Sequence, residues 1–218
     1  MSLPESPSTV PEELALLRQH LATITDPRHA RGRVHPLAGV LTLLVLGLMA
    51  GCRSLSAIHR WGELHPELWE PLALRRSPSV PTLTRLLRLV SVAQLREALR
   101  GFAQQLLAGR GSPEPLAVAA DGKTLRGVHQ ESQPLALLEL FVHQAQVTLD
   151  QVAAPYHLAE GAALQEWLTT LAAQFPGLAV LTGDALFAER SLGEAIIGQG
   201  LDYVVKLKKT NPPSTRRP

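Results

Sequence analysis

One stretch of the 218-residue chain decides how its second half folds: Leu116-Ala-Val-Ala-Ala-Asp121-Gly-Lys123-Thr-Leu-Arg126-Gly127. The apolar residues 116–120 form a short run between Pro115 and an Asp-Gly pair, a pattern typical of a buried β-strand that ends in a turn. A carboxylate at the end of such a strand supplies the oxygen ligands that a hard cation prefers. Asp-Gly is also a common tight-turn dipeptide without further function, and this stretch by itself favours that simpler interpretation.

The positive charge of the chain is concentrated in its first half. Residues 1–110 carry 13 Arg, no Lys and 8 acidic residues, whereas residues 111–218 carry 8 basic and 11 acidic residues. Residues 27–62 and 71–96 contain no acid. Basic surface made only of arginine suits a phosphate-rich partner, because the planar guanidinium matches phosphate oxygens. Solvated helix faces are the alternative, since this excess of charge is moderate for the length.

The composition also indicates in which cellular compartment the chain is expected. The chain has one cysteine, Cys52, and no N-terminal signal peptide, so we expect a reducing, cytoplasmic environment. The most apolar stretch, residues 37–51, is shorter than the roughly 20 residues that span a bilayer and contains internal glycines. We therefore predict a buried core helix there and no membrane partner.

The spacing of apolar residues changes near Pro115. Residues 1–10 are rich in Ser and Pro and are predicted to be disordered, and residues 11–110 read as a helical domain. Two short helices in it, the second carrying Arg85 and Arg88, are compatible with a helix-turn-helix or with core helices that have a solvated face. Residues 114–209 read as three strands, a helix, a strand, a helix and a strand, which indicates a mixed sheet with helices, and residues 210–218 read as an irregular tail.

A second acid changes the interpretation of the first. Asp184 also follows a short apolar strand, and ligands gather at the carboxyl ends of strands in open α/β sheets. Each acid has a simple explanation, Asp121 as a turn residue and Asp184 as a helix N-cap. If the two strands are neighbours, both carboxylates converge and predict a divalent metal site of the kind used in phosphoryl transfer.

Three blocks of sequence resemble a known family, the H-repeat-associated family of DDE-class insertion-sequence transposases. Ala119-Ala-Asp121-Gly-Lys-Thr-Leu-Arg126-Gly127 and Leu181-Thr-Gly-Asp184-Ala-Leu186 resemble its two aspartate blocks. Asp26-Pro-Arg28 through Arg31-Gly-Arg33-Val-His35-Pro36 resembles a motif of its associated N-terminal domain. The resemblance covers nearly the whole chain from about Pro11 onward.

This resemblance implies a transposase with a ribonuclease-H-like catalytic domain that cuts transposon ends and joins the freed 3′ hydroxyl to target DNA. Asp121 and Asp184 would be the first two members of an Asp-Asp-Glu triad that binds Mg²⁺ or Mn²⁺. Transposon-end DNA is the expected partner, a homodimer is a second one, and the bacterial nucleoid is the expected location. By charge and position we add five DNA-contacting residues: Lys123, Arg126, Arg28, Arg31 and Arg33.

The third carboxylate of the family lies on a helix after the strand that corresponds to residues 203–208. The chain ends ten residues beyond Lys208, no acid follows Asp202, and Glu189 and Glu194 do not match the motif. We therefore predict an α plus α/β chain with an incomplete ribonuclease-H-like sheet, a truncated and catalytically inactive copy. The alternative is a DNA-binding or dimerising remnant without catalysis.

Overall fold

The computed structural model describes residues 10–109, 115–130, 133–154, 160–175 and 177–206. The predicted tails at 1–10 and 210–218 lie outside these residues, apart from Val10, which begins the first helix. The chain divides into two compact units, with the boundary between Gly109 and Arg110.

The first unit is helical. Its elements are α1 (Val10–Leu21), α2 (Leu37–Met49), α3 (Leu55–Leu64), α4 (Val80–Leu89) and α5 (Val92–Gly109), with 3₁₀ turns at Ala30–Gly32 and Pro66–Leu68. Ser54 caps α3, because its side-chain oxygen accepts a hydrogen bond from the Ala57 amide at 3.1 Å. Pro81 lies in the first turn of α4, where its missing N–H costs nothing.

The predicted core helix, α2, lies at the centre of this unit. Val40 and Leu43 are fully buried, and they pack in a cluster to which α1, α3, α4 and α5 also contribute. A helix that is apolar nearly all round needs such neighbours on every side. In the described part of the chain, no helix has both the length and the apolar character needed to cross a membrane.

The second unit contains a five-stranded mixed sheet within its described residues. Its strands are β1 (Leu116–Gln130), β2 (Gln133–Val142), β3 (Val147–Ala154), β4 (Leu178–Gly183) and β5 (Asp202–Val205), in the spatial order β3-β2-β1-β4-β5. β1, β2 and β3 pair antiparallel, whereas β4 and β5 join parallel beside β1. Helices α6 (Glu160–Gln174) and α7 (Arg190–Gly198) connect the later strands. This arrangement confirms the predicted mixed sheet with helices, in which a hairpin-connected start is followed by parallel strands.

The two faces of this sheet differ in exposure. Val118, Leu138 and Leu140 are buried on one face, together with Leu164 of α6 and Ile196 of α7. The alternate residues of the strands point to the opposite face. That face, which we call the open face, is half-buried or exposed in its described residues: Ala117, Ala119, Asp121, Lys123, Leu137, Glu139, Phe141, Val180, Thr182, Asp202 and Val204.

The helix-turn-helix interpretation is not supported. α3 and α4 are joined by residues 65–79, a connection of 15 residues that includes a 3₁₀ turn. A helix-turn-helix needs a connection of about 3–4 residues to set the angle between its helices. α4 is therefore a core helix with one solvated face, the alternative that the sequence left open.

Candidate active site and nucleic-acid interface

Asp121 lies inside a strand and not in a turn. β1 continues through Asp121 as far as Gln130, and Asp121 pairs with Glu139 of β2. The turn predicted at Asp121-Gly122 is therefore wrong, because β2 offers partners along nearly the whole length of β1. On the other side of β1, the pairing with β4 ends at Ala120. Asp121 is thus the first residue of β1 beyond its parallel neighbour, and its side chain is exposed on the open face.

Asp184 lies beside Asp121. The last aligned pair of β1 and β4 is Ala120 with Gly183, so the next residue along each strand is one of the two aspartates. Neighbouring strands lie about 4.8 Å apart, which brings the two aspartates to one edge of the sheet. Asp184 is not the N-cap of α7, a position that Glu189 occupies, and it directly precedes the 3₁₀ turn Ala185–Phe187.

Glu139 is a third acid next to this edge that the sequence analysis missed. It lies opposite Asp121 on the open face, and its Oε1 accepts a hydrogen bond from the Thr148 hydroxyl at 2.7 Å. That bond draws the carboxylate towards β3, away from the edge with Asp184. A single acid within the apolar run of β2 was the available signal, because alternation places it on the same face as its paired residue.

The donor set at this edge suits a hard cation that keeps much of its water. Two exposed aspartates on adjacent strands offer several carboxylate oxygens, and Mg²⁺ is commonly held by one or two carboxylates together with waters and substrate phosphates. Within the described residues, no group of three or more His, Cys, Asp or Glu residues has the spacing of a metal site. The edge therefore fits an open, weakly holding site and not a closed cage.

Two basic residues follow Asp121 along β1. Lys123 is exposed and lies on the same face, two residues further on, where its ammonium is available to an anion near the edge. Arg126 also belongs to β1, but its side chain lies outside the described part of the structure. Its predicted DNA contact stays a prediction.

Arg28 is held inside the loop between α1 and α2. Its side chain is 8% exposed and forms a two-pronged pair with Asp26, from Nε to Oδ1 at 2.9 Å and from Nη2 to Oδ2 at 2.8 Å. Nη2 also donates to the His35 carbonyl at 2.7 Å. The Arg28 guanidinium lowers the pKa of Asp26, and this effect outweighs the opposing one of burial. The observed role of Arg28 is to fix the loop, and little of its guanidinium reaches the surface.

The other arginines of this loop are more accessible. Arg33 is half-exposed, and it donates from Nε to the Arg28 carbonyl at 2.8 Å, while Arg31 is exposed. The charge of Arg76 also acts on this loop, since it lowers the pKa of buried His35, an effect second to that of burial itself. Sequence reasoning missed Arg76, which lies 41 residues from His35 along the chain.

Sequence comparisons relate the chain to a family model and to curated proteins. Residues 18–103 match the family model described as DDE_Tnp_1-associated. Two proteins of Escherichia coli strain K12 are similar over most of the chain: "Putative protein YbfL", 26% identical over 90% of this chain and 52% of its own length, and "H repeat-associated putative transposase YhhI", 25% identical over 91% and 52%. The chain spans about half the length of these curated relatives.

Two solved structures show a weaker likeness. One is the piggyBac transposase synaptic complex with hairpin DNA, with a TM-score of 0.43 and 11% identity over 94% of this chain and 54% of that one. The other is the Mos1 transposase paired-end complex with the left transposon end, with a TM-score of 0.30 and 12% identity over 75% and 57%. The order and pairing of the strands define the fold of the second unit.

The class of protein to which these matches show similarity is the transposase type. Within that class, the matches confirm the predicted resemblance to the H-repeat-associated transposases, with a DDE_Tnp_1-associated segment in the first unit.

Proposed function

We propose that this chain binds transposon-type DNA through its basic helical unit and binds a divalent metal at the edge that carries Asp121 and Asp184. The observation that carries the metal site is the register of β1 and β4, which ends with Ala120 beside Gly183 and so sets the two aspartates side by side. When bound, Mg²⁺ or Mn²⁺ would supply Lewis-acid chemistry for phosphodiester cleavage. Asp121 and Asp184 would hold it, and Lys123 would bind a nearby phosphate.

We further propose that this chain does not cut DNA by itself. Phosphoryl transfer with two metal ions needs enough carboxylates to place both ions on the attacking and leaving oxygens. The described residues provide two aspartates at the edge, and the neighbouring Glu139 is drawn away by Thr148. The second candidate function is complete DNA cleavage and strand transfer. The resemblance to insertion-sequence transposases favours it.

Metal titration tests the site. Mn²⁺ binding is followed by the loss of the free-ion electron paramagnetic resonance signal, and competition with Mg²⁺ shows that both ions share the site. We expect weak binding that Asp121→Asn and Asp184→Asn each abolish, because each removes one of the two ligands. Glu194→Gln, which removes an equal charge from an exposed position on α7, is the matched control and should leave binding unchanged. Equal binding by all four proteins would overturn the metal site.

A nicking assay on supercoiled plasmid separates the two candidates. With Mg²⁺ or Mn²⁺ present, we expect no nicking above that of the Asp121→Asn variant. Metal-dependent nicking that disappears in Asp121→Asn would instead support cleavage by this chain.

We also propose that the chain forms a homodimer and that it is located in the cytoplasm on nucleoid DNA. Light scattering after size-exclusion chromatography tests the dimer, and fluorescence imaging of a tagged chain tests the location.

A further inference from the structure

The surface of α4 carries two arginines opposite its buried leucines. Leu83 and Leu86 are fully buried and attach the helix to the core of the first unit. Arg85 and Arg88 are exposed. Residues three apart lie on the same face of a helix, with Cβ atoms roughly 5–6 Å apart, so these two guanidinium groups extend side by side from the solvated face. We call Arg85 and Arg88 the arginine pair.

Within the described residues, the arginine pair has no acidic partner. Residues 71–96 contain no Asp or Glu, and among the described residues neither arginine forms an ion pair or a side-chain hydrogen bond. Other arginines of the chain differ in this respect. Arg100 pairs with Glu97 on α5, and Arg190 pairs with Glu194 on α7.

Such a pair costs the helix some stability. Like charges about one turn apart destabilise a helix, and an exposed acid one turn away would offset that repulsion. The sequence places none there, so the positive charge is left for an anion from outside the chain. A guanidinium matches a phosphate group in geometry as well as in charge.

We propose that the solvated face of α4 lies against the backbone of double-stranded DNA, with Arg85 and Arg88 each contacting a phosphate. This inference rests on the proposed DNA-binding function and adds a specific surface to it. Because α3 and α4 do not form a helix-turn-helix, α4 lacks the supporting geometry that inserts a recognition helix into the major groove. Its contacts are therefore to phosphates and independent of base sequence.

Salt-dependent DNA binding tests the arginine pair. Fluorescence anisotropy with a labelled duplex of about 30 base pairs, between 50 and 200 mM KCl, gives the affinity and its slope against salt. We expect the double variant Arg85→Gln/Arg88→Gln to lower the magnitude of the slope by about 2, one for each lost phosphate contact. At 100 mM salt the affinity should fall at least about tenfold, equally for a duplex of scrambled sequence.

The matched control is Arg100→Gln/Arg190→Gln, which removes the same formal charge from two arginines that already have acidic partners. It should bind as the unchanged protein does, and circular dichroism confirms that both double variants keep their helix content. If the arginine-pair variant binds DNA like the control, the inference fails while DNA binding by the chain stands. The same holds if that variant changes only the oligomeric state, which would make the surface a protein contact. Absence of duplex binding by the unchanged protein at 50 mM salt would overturn the proposed function as well.

Discussion

Two arginines of the loop between α1 and α2 have different surroundings and therefore different chemistry. Arg28 is buried and bonds to Asp26 and to the His35 carbonyl, whereas Arg31 is exposed to solvent. A buried guanidinium must have its hydrogen-bond donors satisfied within the protein, so its charge is neutralised before any ligand arrives. The charge of Arg31, by contrast, is available to a phosphate.

His35 gives this loop a pH dependence. It is 5% exposed, its Nδ1 has no hydrogen-bond partner among the described residues, and burial together with Arg76 and Arg28 lowers its pKa below the ordinary value of 6.5. The unfolded chain therefore binds a proton more readily than the folded chain does. Stability from neutral His35 is fully present above pH 6.5 and is lost as the pH falls through the lowered pKa.

We predict that the free energy of unfolding falls as the pH is lowered from 7.5 to 5. This contribution is no steeper than about 1.4 kcal/mol per pH unit, the limit for one proton. Urea denaturation of the unchanged protein and of His35→Leu at each pH isolates it, because the variant lacks the titrating group. An NMR titration of the His35 imidazole checks the same point without a variant. Parallel pH profiles, or an imidazole that titrates at or above pH 6.5, would contradict the prediction.

At the scale of elements, α2 approaches the chain around Leu72 closely. A Cβ atom added at Gly39 would lie 2.1 Å from the Leu72 carbonyl oxygen, a separation that requires the backbone itself to move. Gly47 has a similar function further along the helix, where an added Cβ would meet the Ile58 side chain at 3.0 Å. Glycine within a helix is a poor helix former, and here it permits close packing of the core.

Gly39→Ala should destabilise the first unit by about 2 kcal/mol or more, because overpacking against backbone cannot be relieved by a change of rotamer. Thermal unfolding followed by circular dichroism measures it. The control is Gly198→Ala at the end of α7, where an added Cβ meets open space and stability should stay within about 0.5 kcal/mol. A Gly39→Ala variant as stable as this control would show that α2 can shift away from Leu72.

The elements differ in how well the sequence predicts them. α2 and the Ser54 cap follow directly from local pattern, since each depends on residues a few positions apart. The Asp-Gly pair favours a turn and so predicts that β1 ends at Ala120. The pairing of β1 with β2 overrides that local preference. From the sequence, Asp121 and Asp184 are expected to converge only if their two strands are neighbours. It depends on strand order, which joins segments more than 60 residues apart.

At the scale of the whole molecule, the two units carry opposite net charge. Residues 10–109 contain 12 Arg and 7 acids, and residues 111–218 have more acids than bases. The buried cluster of α1 to α5 is built from residues of the first unit alone. A unit with its own core should fold by itself, and its positive charge should govern the affinity for DNA.

We predict that a fragment of residues 10–109 folds cooperatively and binds duplex DNA at least as tightly as the whole chain. The second half is net negative and repels phosphate, so its removal should offset the loss of the phosphate contact proposed for Lys123. Circular dichroism melting and anisotropy on the same duplex measure both properties. A fragment that melts without cooperativity, or that folds but binds DNA more weakly than the whole chain, would show that the second unit is needed.

The open face of the sheet bears on how the chain behaves in a concentrated sample. Half-buried Leu137 and Phe141 lie on it, with Glu139 between them along β2 and with Asp121 and Lys123 opposite on β1. Charged residues interspersed in this way limit the size of a contiguous exposed apolar patch on a sheet face. Asp121 thus contributes to colloidal solubility as well as to the proposed metal site. Asp121→Asn keeps a polar side chain there, whereas Asp121→Val would confound loss of metal binding with precipitation.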